Sequence, residues 1–365
     1  MSLKAGIVGL PNVGKSTLFN AVSNSAKAQA ANYRFCTIEP NVGLVDVPDE
    51  RMNKLAELVN PQRIVPTSIE FVDIAGLVKG AAKGEGLGNK FLANIREVDA
   101  IIHVLRCFED ENILREEGNI DPVSDKEIID TELQFKDLES VEKKISRTEK
   151  VAKNDPKQKR VLEVLLQCKD HLNKGKNIRS LHLEDEAFEA IADLFLLTQK
   201  PVLYVANVDE AAILTGNKYS EAIHKMAEAE GAQVIVMNNN IEAQITELDS
   251  EEDKEMFFSE YGLTEPGLNR LIRSAYKLLN LITYFTAGVQ EVRAWTIHQG
   301  WKAPKAASVI HTDFEKGFIK AEVIAYDDFV ELGGETAAKE KGKLRIEGKE
   351  YVVKDGDVMH FRFNV

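Results

Sequence analysis

Residues 4–23 read "KAGIVGLPNVGKSTLFNAVS", and their reading decides the fold. "KAGIVGL" is an apolar run suited to a buried strand, and "KSTLFNAVS" carries a helical pattern. Between them "GLPNVGKST", residues 9–17, satisfies G-x-x-x-x-G-K-[ST]. A glycine turn that leaves a strand and opens a helix is the context a phosphate-binding loop requires. Gly9 and Gly14 let the backbone fold around a phosphate. The N–H groups of Asn12, Val13, Gly14, Lys15, Ser16 and Thr17 are then expected to point inward. Lys15 reaches the β- and γ-phosphates, and the Ser16 hydroxyl takes a Mg²⁺ position.

Outward from this loop, strand and helix signals alternate. "VGLVDV", "IEFVDIAG", "DAIIHVLR", "PVLYVAN" and "AQVIVM" read as strands, with helical stretches such as "YSEAIHKMAEA" between them. Such alternation predicts an α/β fold with a parallel sheet covered by helices. The P-loop then sits at the C-terminal strand edge, where these folds bind ligands. We assign residues 1–120 and 200–280 to this nucleotide-binding domain. Residues 121–199 break the pattern. Leu138, Val141, Ile145, Thr148 and Val151 step by three and four, and Val161, Leu165, Cys168 and Leu172 resume after "NDPKQ". Two amphipathic helices around a short Pro-containing turn predict an inserted antiparallel hairpin. Its tip, "KVAKNDPKQKR" at residues 150–160, holds five basic residues against one Asp. Residues 281–365 change character again, with short strand-like runs between Gly and Asp turns, and read as a small separate module.

Composition narrows the function. A net charge of −13 excludes a surface that is basic throughout, so any RNA contact must come from a local patch such as the tip. No DNA specificity is expected. No segment is apolar for long enough to span a bilayer, and "MSLKAGIVGL" carries no signal-peptide pattern, so no membrane contact is expected. The three cysteines Cys36, Cys107 and Cys168 are odd in number and widely spaced. They suit a reducing cytoplasm.

Further motifs complete the site. "FVDIAG" runs a strand into Asp73-x-x-Gly76. Asp73 suits a Mg²⁺ ligand acting through water, and the Gly76 N–H can donate to a γ-phosphate. Within "NYRFCTIEP", residues 32–40, Thr37 is the candidate second hydroxyl on Mg²⁺. Cys36 beside it reads as a quiet thiol. His103, on an apolar strand, reads as structural. Lys15, Thr37 and Gly76 are thus the catalytic candidates, and Ser16, Thr37 and Asp73 the metal ligands.

"GLPNVGKST", "FCTIEPN", "DIAGLVKGAAKGEGLGNKFL" and "NVDE" together resemble the YchF subfamily of Obg-related P-loop NTPases. The resemblance covers essentially the whole chain. It implies a helical-hairpin insertion and a C-terminal TGS domain, a small ubiquitin-like β-grasp module. It also implies a cytosolic NTPase that prefers ATP and associates with ribosomes, meeting rRNA and ribosomal proteins through the hairpin tip and the TGS domain. Where Ras-type switches place a water-orienting Gln after D-x-x-G, this chain has Leu77, so intrinsic hydrolysis is expected to be slow. Related NTPases with an Asn in the P-loop use K⁺, which makes Asn12 the candidate K⁺ ligand. Gly76, Gly80, Gly84, Gly86 and Gly88 mark one segment as easily remodelled.

Base choice turns on "NVDE", residues 207–210. Guanine-specific sites of this fold carry Asn-Lys-x-Asp, whose Asp accepts from guanine N1–H and the 2-amino group. Here Val208 replaces the Lys and Glu210 the Asp, while Asn207 is kept and can pair with adenine N6 and N7. Asn238 and Asn239, in "MNNN", are candidates for the other wall. The phosphate motifs alone leave a GTPase open, and also an RNA- or ribosome-binding module whose nucleotide site is structural. A P-loop kinase is disfavoured, because no acceptor-site motif is visible.

Overall fold

The structure, a computed structural model, describes residues 3–30, 41–74, 87–110, 119–248 and 250–364. The chain forms two compact units, one of Met1–Val45 with Glu70–Leu271, the other of Asp46–Ile69 with Ile272–Val365. In chain order the strands up to residue 240 are β1 (Lys4–Val8), β2 (Val42–Asp46), β3 (Arg63–Val65), β4 (Ser68–Asp73), β5 (Ala100–Cys107), β6 (Val202–Val208) and β7 (Gln233–Met237). After them come β8 (Leu281–Ala287), β9 (Glu291–His298), β10 (Phe318–Ile324), β11 (Arg345–Glu347) and β12 (Val358–Phe363).

The first unit is built on a sheet of order β2-β4-β1-β5-β6-β7. Neighbours from β4 to β7 run parallel. β5 and β6 are buried along their whole length, which is why their sequences are continuous apolar runs without polar alternation. From β1 the chain goes to β2 and β4 on one side and then crosses to β5 on the other. That reversal is the switch point where doubly wound folds bind ligands, and the P-loop leaves β1 there.

The helical insertion consists of Pro122–Ala152 and Pro156–Asn173. Each helix starts the same way. Asp121 and Asp155 are N-caps accepting backbone N–H groups, and each is followed by a Pro in the first turn, where its missing donor costs nothing. Val141, Ile145, Leu165, Cys168 and Leu172 form the seam. Val151, expected in that seam, is 52% exposed instead, because the apolar contact ends before the tip. Burial of Asp137 raises its pKa, yet its carboxylate accepts from Leu197 N and Thr198 N at 2.8 Å and from Thr198 Oγ1 at 2.6 Å. Asp130, about two turns earlier on the same helix, holds Lys126 at 2.8 Å and Arg179 at 3.3 Å.

The second unit has sheet order β11-β10-β12-β8-β9-β3. Counted from residue 281, the last five strands lie in the order 2-1-5-3-4 of a β-grasp when read from β9, with β8 and β12 the parallel pair. The helices Ala303–Ala307 and Thr312–Lys316 bring Ala303, Ala306, Ala307 and Phe314 to a core around Tyr284 and Ile297. The domain boundary differs from the sequence reading, which gave residues 46–69 to the nucleotide-binding domain. β3 pairs with β9, and Met52 and Leu55 of the helix Glu50–Val59 pack with Phe285, Val292, Ile324 and Phe329. Arg51 fastens that helix. Its guanidinium meets Asp49 at 2.7 Å and Asp355 at 2.8 Å and lies over the Phe285 ring. Burial disfavours the Arg51 charge, but these carboxylates outweigh it and raise the pKa.

Candidate functional site

A cavity of about 710 Å³ opens at the C-terminal ends of β1, β5 and β6. The P-loop forms its floor, where Asn12 (φ +63°) and Gly14 (φ +89°) adopt left-handed backbone. A Cβ on Gly14 would collide with the Asn207 amide, and one on Gly9 would lie 2.7 Å from the Val104 carbonyl. Close approach therefore requires both glycines, and Gly14 is required by its left-handed backbone as well. The helix Lys15–Ala30 starts inside the loop and aims its N-terminus at the cavity. Lys15 is buried, and its ammonium contacts Asp73 Oδ1 at 2.8 Å. Ser16 is exposed and lines the cavity with Thr17.

Three asparagines knit the loops beneath the cavity. Asn207 Nδ2 donates to the Val13 carbonyl, and its Oδ1 accepts from Asn239 N, both at 3.0 Å. Asn239 Nδ2 donates to the Gly14 carbonyl at 3.0 Å. Asn238 donates to the Val208 carbonyl at 2.7 Å and caps the helix Asn239–Thr246 by accepting from Ile241 N. The amides expected from sequence to read the base thus face protein partners. Asn207 and Asn238 have both amide ends engaged, and Asn239 is 1% exposed. Val208 lines the cavity, but it is 1% exposed within the apolar cluster that holds Tyr204 and Ala206. Glu210 is exposed at the rim, and Asp209 caps the short turn after β6 by accepting from Ala212 N at 3.0 Å.

The "MNNN" stretch does line the cavity, with exposed Asn240 beside Asn238. One wall element escaped the sequence reading: Phe108, Glu109 and Asp110 form a wall after β5. Arg106 shapes it, donating to the carbonyls of Phe108 and Asp110 at 3.2 Å with its guanidinium 4.8 Å from the Phe108 ring centre. The signal was present, because β5 ends at the same sheet edge as β1 and an aromatic there can stack on a base. Thr37, Gly76, Cys36 and Leu77 lie outside the described residues. His103 is buried, its Nε2 without a hydrogen bond among the described residues, and burial lowers its pKa to about 4.

Among the described residues no group of three His, Cys, Asp or Glu forms a metal cage. The Ser16 hydroxyl and the Asp73 carboxylate are hard oxygen donors. They suit Mg²⁺, which keeps several waters and is shared with substrate phosphates rather than enclosed by protein.

Comparison with known proteins matches this architecture. Residues 4–145 match the MMR_HSR1 family model, described as "50S ribosome-binding GTPase". Residues 281–364 match the YchF-GTPase_C model, described as a protein of unknown function. The "Ribosome-binding ATPase YchF" of Haemophilus ducreyi is 58% identical over 366 residues, and that of Bacillus subtilis 56% identical over 368, each covering 100% of both chains. The solved structure of the Schizosaccharomyces pombe YchF GTPase superposes with a TM-score of 0.90 at 40% identity, covering 99% of this chain and 98% of that one. With the same two modules and identity above one half along its entire length, this chain belongs to the YchF family.

Proposed function

We propose that this chain is a Mg²⁺-dependent ATP-binding and ATP-hydrolysing switch that associates with the ribosome in the cytoplasm. The Lys15–Asp73 ion pair at the floor of the P-loop cavity carries the reading. Each charge is held by the other at 2.8 Å. Polyphosphate entering the loop draws the ammonium onto its β- and γ-oxygens and releases the Asp73 carboxylate toward the metal position. Mg²⁺, when bound there, neutralises charge on the same phosphate oxygens. Ser16, Asp73 and Thr37 are its proposed ligands, Gly76 the γ-phosphate donor, and Asn12 the K⁺ ligand. Leu77 has no group to orient water, so turnover without a partner is slow.

For the base, Glu210 stands where a guanine site carries Asp, and its longer side chain does not hold the same bidentate geometry, while Phe108 offers a stacking face. The bacterial relatives bear the name ribosome-binding ATPase, which agrees with adenine and with a ribosomal partner. Exposed Lys157, Lys159 and Arg160 at the hairpin tip suit rRNA phosphates, and the β-grasp module is proposed to meet the ribosome as well. A GTPase is the second reading, favoured by the name GTPase that the fission-yeast relative carries. Titration with Mg²⁺-ATP and Mg²⁺-GTP decides between them. We expect tighter ATP binding and loss of both nucleotides in Lys15→Ala. Equal or tighter GTP binding overturns the ATP assignment, and unchanged binding in Lys15→Ala overturns the site.

A further inference from the structure

We propose that Asn239 is a positioning residue that sets the polarity of the P-loop peptides. The inference rests on the nucleotide site proposed above. In a trans peptide unit the carbonyl and the next N–H point in opposite directions. Whatever holds the carbonyls of Val13 and Gly14 therefore aims the N–H groups of Gly14 and Lys15 the other way, toward the phosphate position. Asn207 Nδ2 takes the Val13 carbonyl at 3.0 Å. The Gly14 carbonyl takes two donors at 3.0 Å, the helical Leu18 N–H along the helix axis and Asn239 Nδ2, the one side chain that reaches it among the described residues. Asn239 also orients Asn207, because its backbone N–H donates to Asn207 Oδ1 at 3.0 Å and leaves the Nδ2 end facing Val13.

The other end of the Asn239 side chain argues that the donor is kept for function. Its Oδ1 is buried without a hydrogen-bond partner among the described residues. A buried orphan acceptor is destabilising, and a small apolar side chain at this position would avoid it. The same atom is closed to solvent, so a bound base does not meet it directly. Asn239 therefore acts on the phosphates through Gly14 and leaves the base to the cavity wall, where Asn240, Glu210 and Phe108 stand.

The test uses the full chain with Asn239→Ala and the isosteric Asn239→Asp, which lacks the donor. Affinities for Mg²⁺-ATP and Mg²⁺-GTP are read by titration of a fluorescent analogue, alongside the thermal midpoint of each variant. We expect both nucleotides to weaken about tenfold in both variants, with the ATP-to-GTP ratio unchanged. The midpoint of Asn239→Ala is expected to hold or rise, because the orphan acceptor is gone. Undiminished affinity overturns the proposal. So does a shifted ATP-to-GTP ratio, which would make Asn239 a base contact. A fall in affinity that only follows a lowered midpoint overturns it too. Failure of the wild-type chain to bind either nucleotide sinks the underlying site reading instead.

Discussion

Glu210 is the residue at which base choice can be tested most cleanly. The sequence pairs it with Val208, and the obvious experiment restores both residues of a guanine site. Val208, however, is packed in the apolar cluster with Tyr204 and Ala206, so a Lys there would test burial of a charge as much as recognition. Glu210 is exposed at the rim and can change alone. Glu210→Asp is expected to move the GTP-to-ATP affinity ratio upward about tenfold, within the range for one bidentate base contact. An unmoved ratio would assign base choice to Phe108 and Asn240. His103 sets a second residue-scale prediction. Burial lowers its pKa from 6.5 to about 4, with Asp130, Lys126 and Arg179 as its charged neighbours. The unfolded chain binds this proton first, so stability is lost as pH falls from 6.5 toward 4. Between pH values of about 7 and 4.5 the His103→Gln chain should lose about 2–3 kcal/mol less than wild type in urea unfolding. Equal losses would place the acid sensitivity elsewhere. Lys15, Ser16 and Asp73 were legible because each sits in a short local motif. The Asn207 and Asn239 tethers were not, because they span 194 and 225 residues and depend on how loops meet.

At the scale of elements, the inserted hairpin shows what periodicity captures and what it leaves out. Its seam follows the three-and-four spacing from Val141 to Leu172, so both helices could be read directly. Its anchorage could not. Asp137 reaches 60 and 61 residues along the chain to Leu197 and Thr198, and Asp130 reaches Arg179, polar contacts with no period. Val151 shows the limit from the other side, since an apolar residue in register still ends exposed where it lies beyond the packed seam. The tip beyond it is polar and basic, with Lys157, Lys159 and Arg160 exposed. If these three meet rRNA phosphates, their binding is coupled to counterion release. Replacing all three with Gln should weaken ribosome co-sedimentation and flatten its log–log salt slope by about 2. ATP affinity should be unchanged, because none of the three lines the nucleotide cavity. Co-sedimentation indifferent to both salt and these substitutions would move the ribosome contact off the tip.

For the whole molecule, the division into two units is where linear reading misled most. The alternating pattern around residues 42–73 looks continuous, and the family model for the C-terminal part begins only at residue 281. Yet Asp46–Ile69 belongs with the C-terminal unit, so the chain passes between units three times. The physical reason is the burial that this excursion completes. Met52 and Leu55 are 3% and 0% exposed in the cluster with Phe285 and Val292, and β3 covers the free edge of β9. Burying two such side chains contributes about 3–6 kcal/mol, a large share of what a small domain has in reserve. A fragment of residues 272–365 should therefore be less stable in urea, by about that amount, than one in which residues 46–69 are fused ahead of it through a flexible linker. It should also bind a hydrophobic dye, because Phe285, Val292 and Ile324 lose their cover. Within the longer fragment, Arg51→Met should reverse part of the gain, since Asp49 and Asp355 then lose their shared partner. Equal stability of the two fragments would mean that the excursion is a passive linker and that the β-grasp core is complete from residue 281 onward.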